Sequence, residues 1–321
     1  MSNKPDAQAG VLVVAGTHGN ERNAVHLLER WRPHTGGLDR QGLKVVFSEG
    51  NPEAIRTGRR YLERDLNRAF LPALLDDPAC QELEVRRARD LLAAWGPAGR
   101  SPCLVAVDLH STTAAMGNSL VVYGRRPADL ALAAGLQRRL GLPVYLHEGD
   151  PSQSGYLVEQ WPCGLVIEVG PVPQGVVNAA ICRQTELALE ATLAVLAEAR
   201  DQALRLPAGL VVHRHLRSLD LPRDAQGRPS ALPHPRLQDG DWRPLRPHDP
   251  LFQTLEGETL SWRPGAEDPP LVWPVFINEA AYEEKGIALS LTQREEWVVA
   301  PEWGAELIRL AQTLASPADI P

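Results

Sequence analysis

The chain has 321 residues, more than a typical single domain, so one large or two unequal domains are expected. Its 44% apolar content is ample for a packed core, and a net charge of -7 argues against nucleic acid or an acidic membrane as partner. Met1 to Asp6 carries no apolar signal core and no run is long enough to span a bilayer, so a cytoplasmic protein is expected.

In chain order, Val11 to Ala15 reads as a buried strand and Asn23 to Trp31 as an amphipathic helix. The segment Ala15-Gly16-Thr17-His18-Gly19-Asn20-Glu21 joins them. Such strand-to-helix turns are where α/β proteins place their chemistry. A His and a Glu three residues apart can reach one metal ion, and catalytic zinc is often held by two His and one Glu with a fourth position open. After a strand at Leu43 to Phe47 comes Arg59 to Arg68, rich in arginine and placed beyond Asn51-Pro52. Leu62, Leu66 and the string Asp65-Leu66-Asn67-Arg68 mark it as an ordered loop rather than a tail. Arginine grips carboxylates bidentately and stabilises an oxyanion.

A helix is expected at Cys80 to Trp95, then a strand at Leu104 to Leu109 that runs into His110, the candidate second histidine. Asp108 shares a strand face with His110, and either orients a histidine from behind or bonds the neighbouring loop. Ser119 to Tyr123 and Pro143 to Leu146 read as strands, with a helix at Pro127 to Leu140 between them. The strand Leu165 to Val169 contains Glu168, a carboxylate in a strongly apolar run. Burial there raises its pKa, which suits a general base, although a core Glu paired with an arginine is the plainer alternative. A long helix from Ala179 to Leu204, rich in Ala, Leu and Glu, stops before Pro207. Strands alternating with helices predict an α/β fold with a mainly parallel, covered sheet.

Beyond Pro207 the texture changes to short apolar runs, such as Leu210 to Val212 and Leu271 to Ile277, among dense Pro, Gly and Asp. This predicts a smaller β-rich domain over 207–321, closed by a helix at Ala305 to Leu314. The cysteines, Cys80, Cys103, Cys163 and Cys182, form no CxxC pair, and Cys103 and Cys163 read as reduced core residues.

Five strings occur in one order: Gly16-Thr17-His18-Gly19-Asn20-Glu21, Asp65-Leu66-Asn67-Arg68, Asp108-Leu109-His110-Ser111-Thr112-Thr113, Ile167-Glu168-Val169-Gly170-Pro171 and Asn278-Glu279-Ala280-Ala281-Tyr282. Together they resemble the aspartoacylase and succinylglutamate desuccinylase family of zinc amidohydrolases, from about Val11 to about Lys285. The resemblance implies a zinc-carboxypeptidase-like catalytic domain over 1–206, with a mixed, mainly parallel sheet, and the β-rich domain over 207–321. It implies one zinc ion per chain on His18, Glu21 and His110, and Glu168 as the catalytic acid and base. Arg60 would polarise the scissile carbonyl, Asn67 and Arg68 would grip the substrate's α-carboxylate, and Tyr282 would complete that grip. The implied reaction is hydrolysis of N-acetyl-L-aspartate to acetate and L-aspartate, on a small-molecule N-acyl amino acid.

Two positions depart from the family pattern. Tyr156 or Val158 stands where an arginine is expected to hold the aspartate side chain, and Gly286 stands where a lysine is expected, with Lys285 just before it. Unless Lys285 or an arginine such as Arg64 substitutes, discrimination for aspartate is expected to be loose, with N-acyl amino acids bearing neutral or aromatic side chains near Tyr156 as the alternative substrates. A zinc-binding regulatory protein without turnover is a further reading, against which stand both Glu168 and Arg60. Whether the chain forms a homo-oligomer is left open.

Overall fold

The computed structural model describes residues 9–32, 37–150 and 153–314, so the reading of Met1 to Asp6 lies outside the described residues. The elements run β1 (Gly10–Ala15), α1 (Arg22–Trp31), β2 (Val45–Glu49), α2 (Pro52–Thr57), α3 (Pro72–Leu75), α4 (Leu83–Trp95), β3 (Cys103–Ser111), β4 (Gly117–Tyr123), α5 (Pro127–Leu140), β5 (Val144–His147), β6 (Cys163–Gly170) and α6 (Ala179–Arg200). Then follow β7 (Gly209–Asp220), β8 (Ala231–Pro233), β9 (Pro250–Thr254), β10 (Thr259–Ser261), β11 (Trp273–Val275), β12 (Ile287–Val298) and α7 (Pro301–Ala311). Short 3-10 turns lie at Leu66–Arg68, Leu157–Gln160 and Ala280–Lys285.

Nine strands make one sheet in the order β11-β12-β7-β5-β4-β6-β3-β1-β2. The pairs β1 with β2, β1 with β3, β3 with β6, β4 with β5 and β5 with β7 are parallel, while β4 with β6, β7 with β12 and β11 with β12 are antiparallel. The sheet is therefore mixed and mainly parallel. Its central strands are apolar runs because helices cover both faces. On β1, Val11 and Val13 enter one core with Leu27, Leu28 and Trp31 of α1 and with α5 and α6. Leu12 and Val14 enter the opposite core with Phe70 and with Val85, Ala88 and Leu91 of α4. Each of these four β1 side chains is fully buried, a gain of about 1.5–3 kcal/mol apiece before entropy is counted.

Residues after 207 contribute to two places. β7, β12 and β11 extend the large sheet past β5, and α7 packs back against α5 and α6. Only β8, β9 and β10 form a separate three-stranded sheet, with a small core around Leu251, Phe252 and Trp262. The largest difference from the sequence expectation is β12, which was not anticipated. Its first half is buried and apolar, but from Gln293 it turns polar, so no strand pattern shows there. Its register is imposed by β7, from Ile287 opposite Asp220 to Val298 opposite Gly209. Three helices also have other bounds than expected, the closing one running Pro301–Ala311 in place of Ala305 to Leu314 because Pro301 starts its first turn. The helix expected from Cys80 begins at Leu83, since the Arg89 guanidinium holds the carbonyls of Leu74, Leu75, Asp77 and Cys80 in a turn. The long helix ends at Arg200, because Gln202 takes a left-handed φ of 56° before Pro207.

A candidate metal centre in a cavity at the strand ends

The turn after β1 is shaped by two glycines. Gly16 has φ of 70°, and a Cβ there would meet Ile55 at 2.5 Å. A Cβ on Gly19 would lie 2.0 Å from the backbone carbon of Ala54, so only glycine lets the turn rest on α2. Glu21 then occupies the N-cap position of α1 but makes no side-chain cap bond. Its carboxylate is turned instead into the site, where Oε1 lies 2.6 Å from His18 Nδ1 and Oε2 lies 3.0 Å from His110 Nδ1. The Ser111 backbone N–H donates to the same Oε2 at 3.0 Å.

Each imidazole is held from behind by a carboxylate. His18 Nε2 lies 3.0 Å from Asp65 Oδ1, and His110 Nε2 lies 2.8 Å from Asp108 Oδ2. Asp108 is in turn fixed by the Thr17 hydroxyl at 2.7 Å. With each Nε2–H donated to a carboxylate, each Nδ1 keeps its lone pair and points it at a carboxylate of Glu21. Lone pairs facing at such distances repel unless a proton or a cation stands between them. Donor atoms of His18, Glu21 and His110 lie within 4.8 Å of one another. Two imidazoles and one carboxylate are the donors that zinc prefers, and the carboxylates behind them fix the tautomers. The residues thus fit a divalent cation.

The buried groups of the site act strongly on one another's charge. Burial alone would raise the pKa of Glu21, but His18 and His110 overcome it and hold the carboxyl far below its usual range. Asp65 follows the same balance, with burial opposed by His18 and Arg60. His110 is disfavoured as a cation by burial, yet Asp108 and Glu21 push its pKa well up. Glu168 goes the other way. Burial raises its pKa well above the ordinary value, and the nearby carboxylates Glu21 and Glu279 add to the effect against His110 and Arg60. Among the described residues no group hydrogen-bonds its carboxylate. It faces His110 across the β3 and β6 pair.

The arginine-rich loop is ordered by buried Glu84 of α4, which accepts from Asn51 Nδ2 at 3.0 Å and from the backbone N–H groups of Leu62, Glu63 and Arg64 at 2.8, 3.2 and 3.0 Å. Arg60 donates from Nη2 to Asp65 Oδ2 at 3.1 Å, and its Nη1 lies 3.5 Å from Glu21 Oε1. Its buried Nε has no partner among the described residues. Asn67 Oδ1 accepts from the Leu157 N–H at 3.0 Å, and its Nδ2 lies 3.3 Å from His110 Nε2. Arg68 stacks over the Tyr156 ring at 4.3 Å, and Tyr156 stacks on Tyr123 at 3.8 Å.

One cavity of about 650 Å³, open to solvent, is lined by His18, Glu21, Arg60, Asn67, Arg68, His110, Glu168 and Tyr282 together. All eight site candidates from the sequence therefore meet, Tyr282 arriving from beyond residue 207. Neither expected substitution reaches the cavity. Arg64 is paired with Glu82 and does not line the cavity. Lys285 is not in the lining either; burial and Arg68 lower its pKa. Val158 is buried in the core, whereas Tyr156 lines the wall with Tyr123, Tyr145, Phe276 and His147. Cys103 and Cys163 are buried and free.

Three participants escaped the sequence reading: Asp65, Glu84 and Glu279. Asp65 and Glu279 lie inside the quoted strings without an assigned role, and Glu84 lies unremarked in the expected helix from Cys80 to Trp95. Their signal is the cost of a buried charge, which shows only once burial is known.

Residues 7–196 match the family model described as the succinylglutamate desuccinylase/aspartoacylase catalytic domain. Residues 208–294 match the AstE/AspA barrel-sandwich hybrid domain. The chain is 57% identical over 300 residues to a protein named probable aspartoacylase from Parasynechococcus marenigrum (strain WH8102), covering 94% of this chain and 98% of that one. It is 55% identical over 312 residues to another so named from Synechococcus sp. (strain CC9605), covering 97% and 99%. Among solved structures, murine aminoacylase 3 aligns with a TM-score of 0.81 at 35% identity, covering 93% of this chain and 98% of that one.

Proposed function

The chain belongs to the succinylglutamate desuccinylase/aspartoacylase family, and from that premise we propose that it is a zinc-dependent hydrolase of the amide bond in N-acyl-L-amino acids. The observation that carries the proposal is the pair of Nδ1 atoms converging on Glu21, beside an unbonded Glu168 and an arginine with donor capacity to spare. Residues 1–206 would hold the catalytic machinery, and the β-rich region 207–321 would complete the pocket with Tyr282.

His18, Glu21 and His110 would hold one zinc ion, which when bound supplies Lewis acidity toward the acyl carbonyl and acidifies a water molecule. Glu168 accepts the proton as water attacks the carbonyl carbon. Its burial and its carboxylate neighbours make it bind that proton firmly until the amide nitrogen becomes basic enough to take it. Arg60 donates to the developing oxyanion, a preorganised charge in a poorly hydrated place. Asn67, Arg68 and Tyr282 grip the α-carboxylate, and the stacking of Arg68 on Tyr156 fixes the plane of its fork.

N-acetyl-L-aspartate stands first as substrate, because the close relatives carry the name probable aspartoacylase. A second reading is favoured by the aromatic wall of Tyr123, Tyr145, Tyr156 and Phe276, which suits neutral or aromatic side chains. The deciding experiment is acetate release from a panel of N-acetyl amino acids, with zinc-loaded and chelated protein. A zinc-loaded protein that releases acetate from none of them would end the proposal. A cytoplasmic location is part of the same reading; among the described residues no helix is long and apolar enough to cross a membrane.

A further inference from the structure

His147, at the end of β5, lines the same cavity as the candidate metal centre. In the sheet it is three strands from His110, through β6 and β4. At about 4.8 Å per strand the two strands lie roughly 14 Å apart. Arg68 lies over the Tyr156 ring, whose other neighbour is His147 at 5.6 Å, so with Arg68 on the α-carboxylate a group near His147 belongs to the part of a substrate beyond it.

The hydrogen bonding of this histidine is incomplete. Its Nε2 lies 3.3 Å from the Gln153 carbonyl oxygen, so Nε2 carries the proton and Nδ1 is the acceptor. Nδ1 lies 3.4 Å from the Tyr145 hydroxyl, but that hydroxyl is only 2.8 Å from His215 Nδ1. His215 Nε2 faces Asp150 Oδ2 at 3.9 Å, which draws its proton to Nε2 and leaves Nδ1 as an acceptor, so the one proton of the hydroxyl goes to that shorter contact. Among the described residues, His147 therefore keeps an acceptor with no strong donor, in a ring only 6% exposed.

We propose that His147 is a specificity-determining residue that reads the substrate's side chain. As a neutral imidazole with an open acceptor, it takes a side chain that can donate a hydrogen bond, such as a carboxamide. A side-chain carboxylate is accepted only with uptake of one proton at Nδ1. The inference rests on the deacylase reading and names the side-chain class it prefers near neutral pH. The surroundings support it. Facing the ring are Tyr123 from β4, Tyr145 from β5, Tyr156, Arg68, His215 from β7 and Asp150. Burial first, and then His215, push the His147 pKa down to about 4, with Arg68 adding to the fall and the Gln153 carbonyl and Asp150 opposing it.

The test uses two nearly isosteric pairs, N-acetylaspartate with N-acetylasparagine and N-acetylglutamate with N-acetylglutamine. Within a pair, the ratio of kcat/KM cancels every proton transfer common to both substrates. As pH falls from 8 to 5.5, the acid-to-amide ratio should rise, by at most about tenfold per pH unit, the limit for one proton taken up. His147→Gln should flatten that rise. His215→Gln removes a group that opposes protonation and should move the rise to higher pH. Ratios independent of pH in both pairs, or a slope that survives His147→Gln, would overturn the inference. Failure to turn over all four substrates would instead overturn the deacylase reading.

Discussion

Glu279 accepts both hydrogen bonds that Thr113 can offer, from its backbone N–H and its hydroxyl, each at 2.8 Å and across 166 residues of chain. The same oxygen takes the Ala114 N–H at 3.0 Å and the Thr112 hydroxyl, while its partner oxygen caps the turn that carries Tyr282. One carboxylate thus ties the loop after His110 to the segment that closes the cavity. Glu279→Ala should cost roughly 3–5 kcal/mol, the scale of leaving buried donors unpaired, and should lower kcat/KM as well. Glu279→Gln should recover part of both. Thermal unfolding beside kinetics checks this, and a Glu279→Ala protein of unchanged stability would contradict it.

Asp65 and Asp108 hold the Nε2 edges of His18 and His110, away from Glu21. Asp65→Asn or Asp108→Asn should weaken zinc binding by about 10–100-fold, the usual worth of such a partner. Competition with a chromophoric chelator measures this directly. Removing the metal from the unaltered protein should lower its melting temperature and abolish hydrolysis.

Glu168→Gln keeps the shape of the side chain but cannot accept a proton. Turnover should fall by about two to four orders of magnitude with zinc content unchanged. Near-normal turnover would make Glu168 a structural carboxylate.

Arg68→Ala removes a guanidinium held over Tyr156. Losing a bond to a charged group should cost roughly 1.5–3 kcal/mol in kcat/KM, with KM taking the larger share. An N-acyl amine lacking the α-carboxylate should show no further loss in the variant. If it does, Arg68 serves the chemistry and not the grip.

Buried His213 adds a pH dependence to stability. Burial, with Arg294 adding, pushes its pKa down to about 4 from 6.5. The unfolded chain therefore binds more protons between those values, and this contribution is full above about 6.5 and lost as pH falls toward 4. Asp129 acts with the opposite sign: burial raises its pKa from 3.8 to about 6, so its contribution is lost as pH rises through that window. His213→Gln should flatten the acid side of a urea-midpoint curve, and Asp129→Asn should steepen it.

Much of this arrangement was legible before any coordinates. Strands buried on both faces, such as β1 and β6, announce themselves as apolar runs, and α5 was bounded to the residue by Pro127 and Gly141. That His18, Glu21 and His110 come together was legible because they sit in local motifs at β1 and β3, one in the turn after β1 and the other in the last residues of β3. The rest was not, because its cause is distant in sequence. β12 is a strand through its pairing with β7, and Glu84 and Glu279 tie segments together through donors many residues away. Whether Arg64 could replace the missing cation was open in the sequence for a similar reason, since its pairing with Glu82 shows only in the fold.

The way β7 lies against β5 makes the chain hard to cut. A fragment ending at 206 would keep every proposed metal ligand, Glu168 and Arg60. It would also leave β5 with a bare edge at Tyr145 and Leu146, where β7 now pairs, and would strip α7 from the helices it covers. Unpaired edges and uncovered apolar helices recruit other chains. Such a fragment is expected to be sticky before it is inactive, and a minimal catalytic unit of this protein has to include the strands that come last.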